Sequence, residues 1–423
     1  MKSLLKTVLV STALMSFASI ASAAETVVWW DFLGGGDGVR MKKLIEDFNT
    51  EHAGKIEIQG TTLDWGVPFY TKVQTSAAVG EGPDLMTYHA SRIPLAVSQG
   101  SLAELTDADY AAMGLTADTF AKETAEAVQV DGKKYAVPFD THPIVLYYNK
   151  DKLEAAGLIG ADGLPTGLDG VENFSAALQK LKDGGSTYGV STTTADGSFS
   201  FRTIYSFLCQ QNGSIGVDGA WLDGDNLQKL QNGVQVIADW VKNGYAPEYT
   251  DYPSNVALFT SGEAAMMING VWEVPTMADL EAQGKLFNWG AIELPVFFDR
   301  PCTYADSHAF AIPNNVGKTV SPEKHAAVLE VVKWMSEHSL FWATAGHIPA
   351  NAAVQASEEY KAMQPQATYA KLTANQVFDP KSPNAGVASP LFDAAGNAFT
   401  AAMNNEIDAK TAAEEMKAAL DAL

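Results

Sequence analysis

The chain has 423 residues, with 28 basic and 50 acidic side chains and a formal net charge of −22. That balance argues against nucleic acid and anionic lipid as partners and suits a solvated surface that keeps a monomer soluble. The length exceeds what one hydrophobic core organises, so two domains are expected.

In chain order, Met1-Lys2-Ser3-Leu4-Leu5-Lys6 is followed by an apolar run from Thr7 to Ile20 and by Ala21-Ser22-Ala23. A basic start, a short apolar middle and an Ala-x-Ala site predict a cleavable signal peptide over residues 1–23. The run is too short to span a bilayer comfortably, and no later window holds roughly 18 uninterrupted apolar residues. Cleavage would start the mature chain at Ala24 or Glu25. With no lipobox cysteine after the signal, the expected location is the periplasm.

Val27 to Trp30 reads as a strand. After a glycine-rich loop, Met41, Leu44, Ile45 and Phe48 fall at i, i+3, i+4 and i+7, the period of a helix with one buried face. Asp84–Tyr88, Tyr135–Phe139 and Ile144–Tyr148 read as further strands. Leu227, Leu230, Val234, Ile237 and Val241 mark a long core-facing helix, and Val328, Val331, Val332 and Met335 another. Alternating strands and helices predict an α/β fold with a mostly parallel sheet in each domain. The absence of a flexible tether predicts lobes joined by short strand-like crossings. Cys209 and Cys302 either pair in an oxidising compartment or stay as buried free thiols, and their spacing does not decide between the two.

Catalytic signatures are missing. HExxH, GxSxG and a strand-borne GxGxxG do not occur, and Gly317-Lys318-Thr319 reads as a surface turn because Ile312 stands where a phosphate loop needs glycine. The seven histidines show no metal-ligand spacing, so no metal and no cofactor is expected. Paired carboxylates for glycoside cleavage have no specific support among 50 acidic residues. What remains is aromatic chemistry at turns: Trp30, Phe32, Trp65, Phe199 and Trp272, with Asp31, His89, Asp140, Asn269 and Ser307 as polar neighbours. A sugar ring has an apolar face that stacks on an aromatic and an equator of hydroxyls that needs polar partners. Each tryptophan taken singly also fits a core.

Three segments resemble the extracytoplasmic solute-binding proteins of ABC sugar importers, in the group of the maltose-binding and glycerol-phosphate-binding proteins. They are Tyr135-Ala136-Val137-Pro138-Phe139 with Val145 to Lys150, the run Phe259 to Trp272 carrying F-x-x-G-x-A-A-M, and Gly82-Pro83-Asp84-Leu85 leading to Tyr88-His89. The resemblance implies a two-lobed fold, with 25–140 plus 291–344 forming one lobe and 145–290 plus 345–423 the other. It implies a ligand held in the interlobe cleft, closure about a hinge, delivery to the permease subunits of an importer, and no enzymatic activity.

By position in the resemblance, Trp272 would be the sugar-stacking aromatic, Asp31 and Phe32 would meet the ligand after the first strand, and His89 and Asp140 would face the cleft and the hinge. Trp65, Ser307 and His347 are placed by looser similarity, Asn269 and Gly270 by the segment before Trp272, and Phe199 and Arg202 in a region of poor correspondence. Asn269-Gly270 stands where the glycerol-phosphate group has Ser-Ser-Gly, which favours a neutral sugar, glycoside or polyol. The alternative is an anionic sugar derivative such as a phosphate or sulfonate ester, for which Arg92 or Arg202 would serve. A secreted glycosidase is the reading from a different class.

Overall fold

The computed structural model describes residues 24–423, so the expected signal segment lies outside the described residues. The principal strands are β1 (Glu25–Asp31), β2 (Ile56–Thr62), β3 (Leu85–His89), β4 (Ala136–Pro138), β5 (Asp140–Asn149), β6 (Tyr188–Ser191), β7 (Ala264–Gly270), β8 (Trp289–Glu293), β9 (Thr303–Asp306), β10 (His308–Ala311), β11 (Ile348–Pro349) and β12 (Gln376–Val377).

Two sheets divide the chain. The first runs β2-β1-β3-β10-β4, and the second β12-β9-β5-β7-β6 with β8 and β11 also paired to β5. Each has its own apolar core. Val27, Trp29, Met41, Leu44 and Phe48 pack in the first, and Leu146, Phe201, Ile237, Met266 and Phe399 in the second. The periodic helices form where their apolar faces require. Gly35–Glu51 buries Met41, Leu44 and Phe48, Asn226–Lys242 buries Leu230, Val234, Ile237 and Val241, and Pro322–Glu337 buries Val328, Val331, Val332 and Met335. Val316 and Gly317 form the expected surface turn, and Lys318 after it reaches the carboxylate of Asp84 at 3.0 Å.

The sheets are mixed, which corrects the expectation of mostly parallel ones. β1 pairs in parallel with β2 and β3, but β10 runs antiparallel to β3 and β4, and β7, β8 and β9 all run antiparallel to β5. The cause is the connectivity. A strand that enters a sheet from the other lobe arrives against the direction set by the local strand–helix units. The chain also returns to the first sheet at His308 rather than near residue 291, because Trp289–Glu293 pairs with Asn149 to Val145 and Leu294, Phe297 and Tyr304 are buried in the second core.

Three crossings join the lobes side by side. Phe139, at the first, accepts at its carbonyl from Ala350 N at 3.0 Å and donates its own N–H to the His308 carbonyl at 2.8 Å. It therefore stitches the second and third crossings to itself.

Cys209 and Cys302 are bonded, with Cα atoms 5.8 Å apart and a separation of 93 positions in sequence. The bridge ties the helix Gly197–Gln210, buried at every residue but Ser198, to the segment that leads into β9. Closing a loop of this size removes much entropy from the unfolded chain. Replacing both cysteines by serine should lower the unfolding free energy by about 2–4 kcal/mol, read from urea denaturation followed by tryptophan fluorescence. An unchanged midpoint would show that the bond contributes nothing to the native state.

Candidate functional site

The crossings bring two Asp-x-His tripeptides together. Asp140-Thr141-His142 opens β5, and Asp306-Ser307-His308 spans the end of β9 and the start of β10, with Asp306 opposite His142 and His308 opposite His89 in the ladders. Asp140 is fully buried and its oxygens are saturated. Oδ1 accepts from His142 Nδ1 at 3.0 Å and from the His308 backbone N–H at 2.9 Å. Oδ2 accepts from His308 Nδ1 at 2.8 Å and from Trp342 Nε1 at 2.7 Å. Burial pulls this carboxyl upward more than any other single influence, but the imidazoles of His308, His347 and His142 outweigh it and hold it well below the usual carboxylate range.

A second carboxylate, Asp37, reaches His347 Nε2 at 3.0 Å, while His347 Nδ1 faces Asp140 Oδ2 at 3.5 Å. Burial works against the charge on this ring, yet Asp37 and Asp140 together raise His347 above its ordinary value. His347 also stacks flat on Trp342, centroids 4.8 Å apart. The opposite holds for His89 and His142. Burial, then the neighbouring imidazole of His308, lowers both, His89 well below its usual range.

Rings then run across the cleft from lobe to lobe. Trp65 meets His89 edge-on at 6.2 Å, His89 meets His142 at 5.7 Å, His142 meets Trp272 at 5.8 Å, and Trp272 meets Phe199 at 6.5 Å. Phe32 stacks on His89 at 4.5 Å, 9° from parallel, and the Tyr70 hydroxyl shares a 2.5 Å hydrogen bond with His89 Nδ1. With Nδ1–H of His142 and of His308 committed to Asp140, the neutral form of each ring keeps Nε2 as an acceptor. Neither Nε2 has a hydrogen-bond partner among the described residues. The wall thus combines apolar ring faces with free imidazole nitrogens, the pairing a polyhydroxylated ring needs.

Trp272 is half-buried and held by a hydrogen bond from Nε1 to the Tyr252 hydroxyl at 2.8 Å, and Tyr252 in turn donates to Glu273. Gly270 is obligatory here, because a Cβ at that position would sit 2.1 Å from the Trp272 ring. Asn269 is fully buried and its Oδ1 accepts from Gly270 N at 2.8 Å, which shapes the turn beneath the indole.

The expected site residues therefore fall into three settings. Phe32, Trp65, His89 and Trp272 line the ring wall, with Trp65 still 53% exposed. Asp140, His347 and Ser307 sit behind it, all three shut off from solvent; Ser307 Oγ donates to the His308 carbonyl at 3.0 Å. Asp31 is buried, its Oδ1 accepting from Leu33 N at 3.0 Å, and burial raises its carboxyl. His142, His308, Tyr70 and Tyr252 join the site without having been singled out by sequence. The repeated Asp-x-His was the available signal.

Asp140, His142, His308 and His347 each place a ligating atom within 4.8 Å of the others, as do His89, His142 and Asp306. The first set has the donor chemistry for a divalent cation. In this structure, however, N–H donors occupy the carboxylate lone pairs that a cation would use, so the set acts as a hydrogen-bonded brace.

The family described as bacterial extracellular solute-binding protein matches residues 43–369. A galactooligosaccharide-binding protein of Bacillus subtilis (strain 168) is 26% identical over 302 residues, covering 66% of this chain and 62% of that relative, so the chain spans less than two thirds of its length. An sn-glycerol-3-phosphate-binding periplasmic protein of Rhizobium meliloti (strain 1021) is 25% identical over 305 residues, 68% of this chain and 66% of the other. Among solved structures, the GacH receptor of Streptomyces glaucescens GLA.O, determined unliganded and with acarbose, aligns with a TM-score of 0.78 at 20% identity over 94% of this chain and 98% of its own. A substrate-binding protein from Listeria monocytogenes in complex with cycloalternan aligns with a TM-score of 0.76 at 19% identity over 94% and 98%. At such identities the likeness is one of fold, and the fold is two-lobed.

The electrostatics carry a direct check. A histidine lowered by burial contributes stability that is full above its unfolded value of 6.5 and is lost as pH falls through the folded one. A raised histidine contributes below 6.5 and loses that contribution as pH rises through its folded value. Imidazole nitrogen NMR at pH 6.5 should find His89 and His142 neutral and His347 charged. A charged His89 would contradict this account of the cleft.

Proposed function

The chain belongs to the bacterial extracellular solute-binding protein family, and on that premise we propose that it is the substrate-binding component of an ABC importer that encloses a carbohydrate between its lobes. The family is one of binding proteins, so the protein is not an enzyme and the glycosidase reading falls. Among the described residues no helix is long and apolar enough to cross a membrane. We assign the protein to the periplasm, delivered there by the expected signal segment, and take it to act as a monomer that hands its ligand to the permease subunits.

The observation that carries the carbohydrate assignment is the line of rings from Trp65 through His89 and His142 to Trp272. It pairs stacking faces with imidazole nitrogens across both lobes. Support comes also from the relatives, whose names include binding proteins for galactooligosaccharide, maltooligosaccharide and mannitol. His89, His142, His308 and His347 are each 5% exposed or less, so a ligand reaches them only when the lobes part. Entry, closure and release then follow from bending at the three crossings. A ligand favours the closed arrangement to the extent that it touches both lobes at once.

A thermal-shift screen of the mature protein against monosaccharides, disaccharides, polyols and glycosides tests the assignment. A saccharide at 100 times its dissociation constant should add about 2.7 kcal/mol of stability. Trp272→Ala should weaken the saccharide that scores highest by on the order of 10- to 100-fold in calorimetry while leaving the far-ultraviolet circular dichroism unchanged. Undiminished affinity would remove Trp272 from the site.

A further inference from the structure

Arg202, on the helix Gly197–Gln210, is 7% exposed. Its guanidinium carries five N–H donors, yet its one hydrogen bond among the described residues runs from Nη1 to the Ser198 carbonyl at a long 3.4 Å. No carboxylate among the described residues stands within salt-bridge distance of it. Aromatic faces surround it instead: Phe392 at 4.9 Å, Phe199 at 5.4 Å and Tyr304 at 5.9 Å. Such faces recover part of the lost hydration, but a buried cation without a counter-charge remains costly.

The nearby carboxyls form no ion pair with it among the described residues. Asp379 is pushed up to about 7 by burial and then by the charge of Asp306. Its Oδ2 accepts from the Tyr304 hydroxyl at 2.7 Å, and its Oδ1 has no hydrogen-bond partner among the described residues. Asp306 is engaged by Ser91, through the backbone N–H at 3.1 Å and the hydroxyl at 2.5 Å, and by the Ser307 N–H at 2.8 Å.

A second cation stands on the other lobe, near the His89 side of the wall. Arg92 lies over the Tyr70 ring at 4.5 Å, its Nη1 donates to the Ala388 carbonyl at 2.8 Å, and its Nε is buried without a partner among the described residues. Tyr70 and His89 both feel the positive charge of Arg202 from across the cleft, and the Phe199 ring connects Arg202 to Trp272. Arg202 thus stands behind the Phe199–Trp272 end of the ring wall, and Arg92 beside the Tyr70–His89 pair on the other lobe.

We propose that Arg202, with Arg92 opposite, forms an oxyanion subsite at one end of the cleft, so that the carbohydrate carried bears a carboxylate, phosphate or sulfate group. A guanidinium matches the two oxygens of such a group bidentately. The net charge of −22 repels anions at long range, which leaves the selectivity to these two side chains. The inference rests on the carbohydrate reading and narrows it, and it departs from the neutral ligand that the Asn269-Gly270 segment favours.

The test is calorimetry of glucose, glucuronate, glucose 6-phosphate and glucose 6-sulfate against the mature wild type, Arg202→Gln and Arg202→Lys. One anionic hexose is expected to bind about 100-fold tighter than glucose, and its identity names the oxyanion. Arg202→Gln should abolish that preference and Arg202→Lys should keep part of it. If Arg202→Gln fails to fold, Arg92→Gln takes its place in the same comparison. Glucose binding as tightly as all three anions, or a preference that survives Arg202→Gln, overturns the subsite. If no hexose binds at all, the carbohydrate reading is judged by the thermal-shift panel of disaccharides, polyols and glycosides. Inorganic phosphate and sulfate then decide the subsite alone: a thermal shift lost in Arg202→Gln sustains it, and no shift overturns it.

Discussion

Everything at the cleft depends on the buried carboxylate of Asp140. Four N–H donors converge on it, from two imidazoles, one indole and one backbone amide. They come from the strand it begins, from the return crossing and from the segment after the long helix Pro322–Glu337. A carboxylate in such a place persists only if every lone pair is used. Because it is charged and saturated, the imidazoles that donate to it have fixed tautomers and fixed ring planes, and their other nitrogens are aimed elsewhere.

That arrangement separates two tasks within one cluster. His347, between Asp37 and Asp140, is biased toward its charged form and belongs to the brace. His89 and His142, with no such support, stay neutral and form part of the wall. The aromatic partners follow the same division, with Trp342 stacked behind on His347 and Trp272 standing in front, over a glycine that alone leaves room for its ring. The second lobe adds its own layer through Tyr252 and Glu273, which hold the indole by its nitrogen.

Sequence periodicity identified the elements whose burial is one-sided. The helix around Met41 and Phe48 and the one around Val234 and Ile237 were legible because a single apolar stripe meets a core. The helix Gly197–Gln210 was not, since nearly all its faces are buried and no stripe appears; Arg202 was consequently hard to place. Reading Ile144–Tyr148 as a strand of one lobe missed that β5 begins at Asp140 and crosses from the other, and the expectation of mostly parallel sheets, drawn from alternating strands and helices, took no account of such crossings. The F-x-x-G-x-A-A-M run drew attention to Gly270 and Trp272, which pack against each other. His142 and His308 were hidden because their partnership links residues 166 apart, a distance that local patterns do not report. The pairing of Cys209 with Cys302 was equally undecidable until the helix that carries one and the segment before β9 that carries the other were seen side by side.

The three crossings are stitched together at Phe139, which bonds to His308 on one flank and to Ala350 on the other. A row of strands joined in this way bends readily about the line along which they are ranged and resists twist or sideways shear. The linkage therefore behaves as a leaf hinge with one rotational degree of freedom, unlike the universal joint that a single tether would provide. In the proposed carrier, such a joint would make the lobes retrace one path, so that the same ring faces meet in the same register at every cycle. Stereochemical discrimination between sugars that differ at one carbon can then be built into the rest positions of a few side chains, without any need to search over relative orientations of the lobes.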